Sequence, residues 1–90
     1  MEKRICVIFR GRVQGVGFRF TAEAVASSLN ITGWVKNLHS GEVEIVAEGQ
    51  EEDLKKFISD IEGQFSAYIT DKEIRWEEPS SEFKEFGIRF

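Results

Sequence analysis

The hydrophobic period of this chain switches from two to about 3.6 residues and back again, twice, and that order leaves few folds open. Ile5, Val7 and Phe9 alternate with Cys6 and Ile8, a run apolar on both sides, as in a strand over roughly residues 3–12 that is covered on at least one face. Phe18, Ala22, Val25, Ala26 and Leu29 then recur at helical spacing as one apolar stripe, and Asn30 suits a left-handed stop. ITGWVKN and GEVEIVAEG flank residues 38–41 as the arms of a hairpin, with Val43, Ile45 and Ala47 on one side and Glu42, Glu44 and Glu48 on the solvated other. Leu54, Phe57, Ile58 and Ile61 build a second helix, with Glu51, Glu52 and Asp53 on the positive end of its dipole and Gly63 as its expected stop. Residues 67–76 form a fourth strand through Tyr68, Ile69, Ile74 and Trp76, and Phe86, Ile88 and Phe90 alternate in a short closing strand.

The order β-α-β-β-α-β is compact as an antiparallel sheet with both helices on one face, an α+β sandwich of the ferredoxin-like kind with a short C-terminal fifth strand. Ninety residues suit a single domain, 1–90. No apolar run is long enough for a membrane span, and MEKRICVIFR is not a secretory signal, so the cytoplasm is the expected compartment. Cys6 is the only cysteine, and in its apolar run it reads as a buried, inert thiol. The net charge of −4 hides an asymmetry: Lys3, Arg4, Arg10, Arg12 and Arg19 face only Glu2 in the first 22 residues. An acidic chain is a poor nucleic-acid partner, but its cationic end suits a small anion. Arg4 and Arg10 read as solvated strand-edge residues.

Three of the eight glycines fall within seven positions in GRVQGVGFR, residues 11–19, at the turn from the first strand into the first helix. A helix start carries unpaired N–H groups and about half a positive charge, and glycine lets the chain curl so that successive amides converge on one anion. Gln14, Gly15, Val16, Gly17, Phe18 and Arg19 are therefore candidate phosphate-binding residues, Gly15 and Gly17 through backbone shape and Arg19 through a fork of donors matched to phosphate oxygens. Glycine spacing alone fits a plain tight turn equally well. The stretch is neither a Walker A loop nor a dinucleotide fingerprint, since no Lys-Ser/Thr pair follows the glycines.

GRVQGVGFR together with GWVKN, residues 33–37, closely resembles the paired signatures of the acylphosphatase family, and EVEIVAEG and KEFGIRF extend the likeness over essentially the whole chain. The resemblance implies an enzyme that needs no metal or cofactor and hydrolyses the carboxyl-phosphate bond of acyl phosphates to carboxylate and orthophosphate. It assigns phosphoryl binding to Arg19 with the loop amides, and the positioning of the attacking water to Asn37. Orthophosphate and sulfate become expected competing anions, and a monomer the expected state. The chain departs from the family pattern at GQFSAY, residues 63–68, where many members have a proline-containing turn, and at Asn30, where glycine is common. Both departures touch loop shape, not the motifs.

The chemistry agrees. Phosphoryl transfer spreads negative charge over equatorial oxygens, and amides with a guanidinium stabilise it. Carboxylate is a good leaving group, so no strong general acid is demanded. Asn37, taken alone, reads better as a turn-starting residue of the hairpin, and it reaches a site on the core side only if it lies past the last core layer. His39 reads as a solvated hairpin tip, the acidic run 50–53 as helix-start charge, and Trp34 and Trp76 as core unless they line the acyl side. Two rivals share the strand-helix order. An RNA-binding sheet would need aromatics on its third strand, where GEVEIVAEG has none. A non-catalytic anion-binding module would not need both Arg19 and Asn37.

Overall fold

The computed structural model describes residues 1–90, with the elements β1 (Glu2–Gly11), α1 (Phe18–Ser28), β2 (Thr32–Asn37), β3 (Val43–Gln50), α2 (Glu51–Gln64), β4 (Ile69–Glu77) and β5 (Phe86–Arg89). They form one five-stranded sheet in the order β4-β1-β3-β2-β5. All pairs are antiparallel except β2 with β5, where Gly33 faces Phe86 in parallel register. This is the expected ferredoxin-like layout with a fifth strand appended at the edge.

The core follows the alternation. Ile5, Val7 and Phe9 of β1, Val35 of β2 and Val43, Ile45 and Ala47 of β3 are fully buried beneath Phe18, Ala22 and Ala26 of α1 and Leu54, Phe57, Ile58 and Ile61 of α2. At the end of α1, Asn30 takes the left-handed conformation (φ 56°), the Ile31 N–H bonds to Ala26 O at 2.9 Å and the Asn30 N–H to Ser27 O at 3.4 Å. Ile31 and Ala26 are both core residues, which completes a Schellman stop.

The second stop differs from expectation. α2 runs through Gly63 to Gln64, Gly63 has no left-handed φ, and its Cα faces open space. Phe65 ends the helix instead. Its N–H bonds to Ile61 O at 3.0 Å and its ring enters the core 4.7 Å from Phe18, while the Tyr68 and Ile69 N–H groups both turn back to Phe65 O. β4 accordingly begins at Ile69, and Tyr68 belongs to the turn.

The face without helices is less open than the alternation implies. Arg4 and Arg10 lie on a strand inside the sheet, not on its edge, and both are paired. Arg10 meets Glu42 at 2.6 Å, Glu73 at 3.1 Å and Asp71 at 3.3 Å. Glu48, expected in solvent, is 3% exposed, and Val46 beside it is also buried. The segment 78–85 links the two edge strands across this face. The Ser80 N–H, Ser80 hydroxyl and Ser81 N–H donate to the Glu48 carboxylate at 2.7, 2.9 and 2.9 Å, and Arg4 donates at 3.3 Å while its guanidinium stacks on Phe83. Neither tryptophan joins the core. Trp34 lies on this face under the Arg89 guanidinium, and Trp76 sits exposed on the edge strand.

Two predictions follow from these departures. Gly63→Ala should stabilise the fold by about 0.5–1 kcal/mol, because an exposed helical position without positive φ favours alanine; urea unfolding reads it, and destabilisation would restore Gly63 as a conformational stop. Burial pushes the Glu48 pKa up, but the bonds from Ser80 and Ser81 and the Arg4 charge outweigh it, and the net value lies below the ordinary 4.5. A depressed carboxyl contributes stability above its unfolded pKa and loses it as pH falls through the folded value. Glu48→Gln should therefore cost about 2 kcal/mol at neutral pH and flatten the acid limb of the stability profile below about pH 4.5. An unchanged acid limb would show that Glu48 does not carry it.

Candidate functional site

The turn from β1 into α1 is held at both ends by side chains that the core absorbs. Val13 is fully buried, and the Phe18 ring packs 5.3 Å from Phe9. Between them Gly15 (φ 78°) and Gly17 (φ 80°) are both left-handed. A Cβ at either would meet nothing within 4 Å, so the backbone conformation and not lack of room calls for glycine there. None of the backbone hydrogen bonds made in loops and turns is donated by residues 13–17, and the first amide to bond back is Thr21's, to Gly17 O at 3.1 Å. α1 has no side-chain cap and no acidic residue in its first turn. A run of free N–H groups thus meets an uncompensated positive helix end.

A small cleft of about 120 Å³ opens on this loop, lined by Val13, Gly15, Gly17, Phe18, Arg19, Phe20 and Asn37. Asn37 is the last residue of β2, one pleat beyond the buried Val35 on the helix side. Its Oδ1 is buried without a hydrogen-bond partner. Arg19 forms no ion pair, and its guanidinium stacks over Phe90 at 5.0 Å from the ring centre. Arg4 and Arg10 are taken up by carboxylates and Arg12 does not line the cleft, so of the cationic N-terminal arginines it is Arg19 that reaches it unpaired.

The structure brings Gly15, Gly17, Phe18, Arg19 and Asn37 together, and treats the other two loop residues differently. The Gln14 side chain leaves the cleft and donates to Leu38 O at 2.8 Å and to Glu42 O at 2.9 Å, tying the loop to the β2–β3 hairpin. Val16 packs against the core. His39 is exposed at the hairpin tip, and neither Trp34 nor Trp76 lines the cleft. Cys6 is half-buried on the helix-free face instead of in the core; burial first, then the Glu77 carboxylate 3.5 Å away, push its thiol pKa up and keep it protonated. Phe20 lines the cleft although no sequence pattern singled it out, because it falls off the helical stripe.

The sequence matches the acylphosphatase family model over residues 5–88. The chain belongs to the acylphosphatase family. It is 43% identical over 89 residues to an acylphosphatase of Caldanaerobacter subterraneus subsp. tengcongensis, covering 98% of this chain and 99% of the relative. A second acylphosphatase, of Bacillus licheniformis, is 41% identical over 93% of the chain and 94% of its own length. The crystal structure of acylphosphatase from Bacillus subtilis superposes over the full length of both chains with a TM-score of 0.89 at 33% identity. Full-length HypF in its phosphate- and nucleotide-bound form contains a similar unit, with a TM-score of 0.91 at 34% identity over all of this chain and 12% of HypF. Like other acylphosphatases, this protein is an enzyme that hydrolyses acyl phosphates.

Gln14→Ala removes both bonds to the hairpin and should destabilise the fold by about 1–2 kcal/mol in urea unfolding. Gln14→Glu should cost more, since it turns a carboxylate toward two carbonyl oxygens. Equal stability of both variants would show that the tie contributes nothing.

Proposed function

We propose that the phosphoryl group of an acyl phosphate sits on the amides of residues 14–19 and on the Arg19 guanidinium, and that Asn37 holds the attacking water. The observation that carries this reading is the buried, unpartnered Asn37 Oδ1 in a cleft that also contains Arg19 and two left-handed glycines. A water there donates one hydrogen bond to Oδ1 and directs its oxygen at phosphorus. Its O–P bond forms as the bond from phosphorus to the acyl oxygen breaks, the electron pair leaves with the carboxylate, and the water's proton passes to a phosphoryl oxygen. Orthophosphate and carboxylate are the products.

The amides and Arg19 stabilise the charge on the equatorial oxygens as the transition state loosens. Asparagine is not a base and does not need to be one, because the leaving carboxylate is weakly basic. Every group used comes from the β1–α1 turn, α1 and β2, so one chain acting as one domain, 1–90, suffices. No step calls for a metal ion, and the chain has no cluster of three or more His, Cys, Asp or Glu side chains arranged to hold one. Orthophosphate should compete for the same loop.

The test is steady-state hydrolysis of a synthetic acyl phosphate, with EDTA present throughout. Arg19→Gln should lower kcat/KM by about a hundredfold or more, and Arg19→Lys should not restore it, because a point charge lacks the fork. Asn37→Ala should lower kcat with little change in KM. A folded Arg19→Gln protein of near-normal activity, or an Asn37→Ala protein that raises only KM, would overturn the assignment.

A further inference from the structure

The cleft is too small to enclose a bulky substrate. Clefts that bury most of a drug-sized ligand run to roughly 300–1,000 Å³, against about 120 Å³ here. On the reading above, the phosphoryl group and its water occupy the floor, so the acyl group projects past the rim. In-line displacement also sends it away from the water at Asn37. What it meets on leaving is decided by which lining residues carry exposed apolar surface.

Val13 and Phe18 do not, at 0% and 2% exposed, whereas Phe20 is 66% exposed. The fold gives Phe20 no packing role. It lies outside the buried cluster of α1, which uses Phe18, Ala22 and Ala26, and none of the aromatic pairs of the core includes it. A second exposed ring, Phe90 at 91%, lies under the Arg19 guanidinium. Of the five large hydrophobic side chains left in solvent, Phe20 shares the cleft lining with Arg19 and Phe90 stacks beneath it. No carboxylate lines the cleft, so nothing there favours a cationic acyl tail.

We propose that Phe20 is the acyl-group contact of this cleft and that it favours acyl phosphates with aromatic or bulky apolar acyl groups over those with small ones. The inference rests on the phosphoryl site proposed above. The ring gains from contact with the acyl group what it cannot gain from the core, and an aromatic partner adds the preference of rings for offset or edge-to-face contact. The phosphoryl loop reads what all substrates share, and Phe20 reads what distinguishes them.

The experiment compares kcat/KM for benzoyl phosphate and acetyl phosphate in the wild-type protein, Phe20→Ala, Phe20→Leu and Arg19→Gln. The readout is the benzoyl-to-acetyl ratio within each protein, from which the folded fraction and the intrinsic reactivity of the two acyl phosphates cancel when variants are compared with wild type. Phe20→Ala should lower that ratio by about two- to twelvefold, the range of a ring–ring contact, with Phe20→Leu in between. A ratio unchanged in Phe20→Ala, or equal losses on both substrates, overturns the inference while leaving the phosphoryl site intact. Arg19→Gln separates the two claims. If it keeps wild-type rates on both substrates, the phosphoryl site itself is wrong, and a contact for its acyl group goes with it.

Discussion

One side-chain amide holds this site together. Residues 13–17 curl through two left-handed glycines and donate no backbone hydrogen bond that would stiffen them. Val13 and Phe18 anchor the two ends in the core, and the Gln14 Nε2 fixes the middle by donating to Leu38 O and Glu42 O. Each carbonyl already accepts one bond within the hairpin, from the Gly41 N–H and the Leu38 N–H respectively. The amide therefore fills the remaining acceptor capacity of both, which leaves the hairpin mouth no competing partner. Asn37 immediately precedes this tie. Its position beside the loop follows from Gln14 as much as from β2.

The electrostatics of the site follow from what is removed from it. In a chain of net charge −4, carboxylates on the helix-free face neutralise Arg4 and Arg10, and the positive end that remains at the loop is the unpaired Arg19 with the start of α1, which has no acidic residue in its first turn. α2 treats its own positive end in the opposite way, with Glu51, Glu52 and Asp53 in the first turn. Side-chain compensation of that kind stabilises a helix and closes it to anions. The protein thus spends helix stability at α1 to keep the amides open. Since exposed charges are screened over about 8–10 Å, the acidic remainder of the molecule does not cancel this local field.

Features set by local pattern were legible in the sequence. The stripes of Phe18, Ala22 and Ala26 and of Leu54, Phe57, Ile58 and Ile61 are periodic, and the left-handed Asn30 is a matter of residue type at a helix end. The two motifs single out Gly15, Gly17, Arg19 and Asn37, and all four line one cleft. What was not legible depends on contacts distant in sequence. Gly63 carries the residue type of a stop, but the pull of Phe65 into the aromatic cluster with Phe18 decides where α2 ends. Glu48 sits at an outward position of β3, yet a segment more than thirty residues away folds over it. Val46 beside it, apolar at an outward position, was the one local sign of that cover. Trp76 reads as core by its size, but it sits near the end of an edge strand and is exposed. Nothing local in RVQGV distinguishes a glutamine that binds a ligand from one that ties down a hairpin.

Two buried polar side-chain atoms in the molecule lack a hydrogen-bond partner, Arg4 Nε and Asn37 Oδ1, and their surroundings separate them. The Arg4 guanidinium donates through Nη1 to Glu48, Ser80 and Glu82, and Nε itself lies 3.6 Å from Glu77 Oε1, so its charge is compensated even where its geometry is poor. Asn37 Oδ1 has no such neighbour. A buried acceptor left unpaired costs about 1–3 kcal/mol, and a fold that saturates Glu48 and both hairpin carbonyls has evident means to satisfy one more amide. That it does not do so at the rim of the only cleft containing Arg19 locates the unspent hydrogen-bonding capacity of the molecule where the proposed water belongs. The same arrangement explains the choice of side chain. On the proposed reading, a carboxylate at residue 37 would hold water as firmly, but its charge would oppose the phosphoryl oxygens, whereas a neutral amide would orient the water without weakening the field of the amides and Arg19.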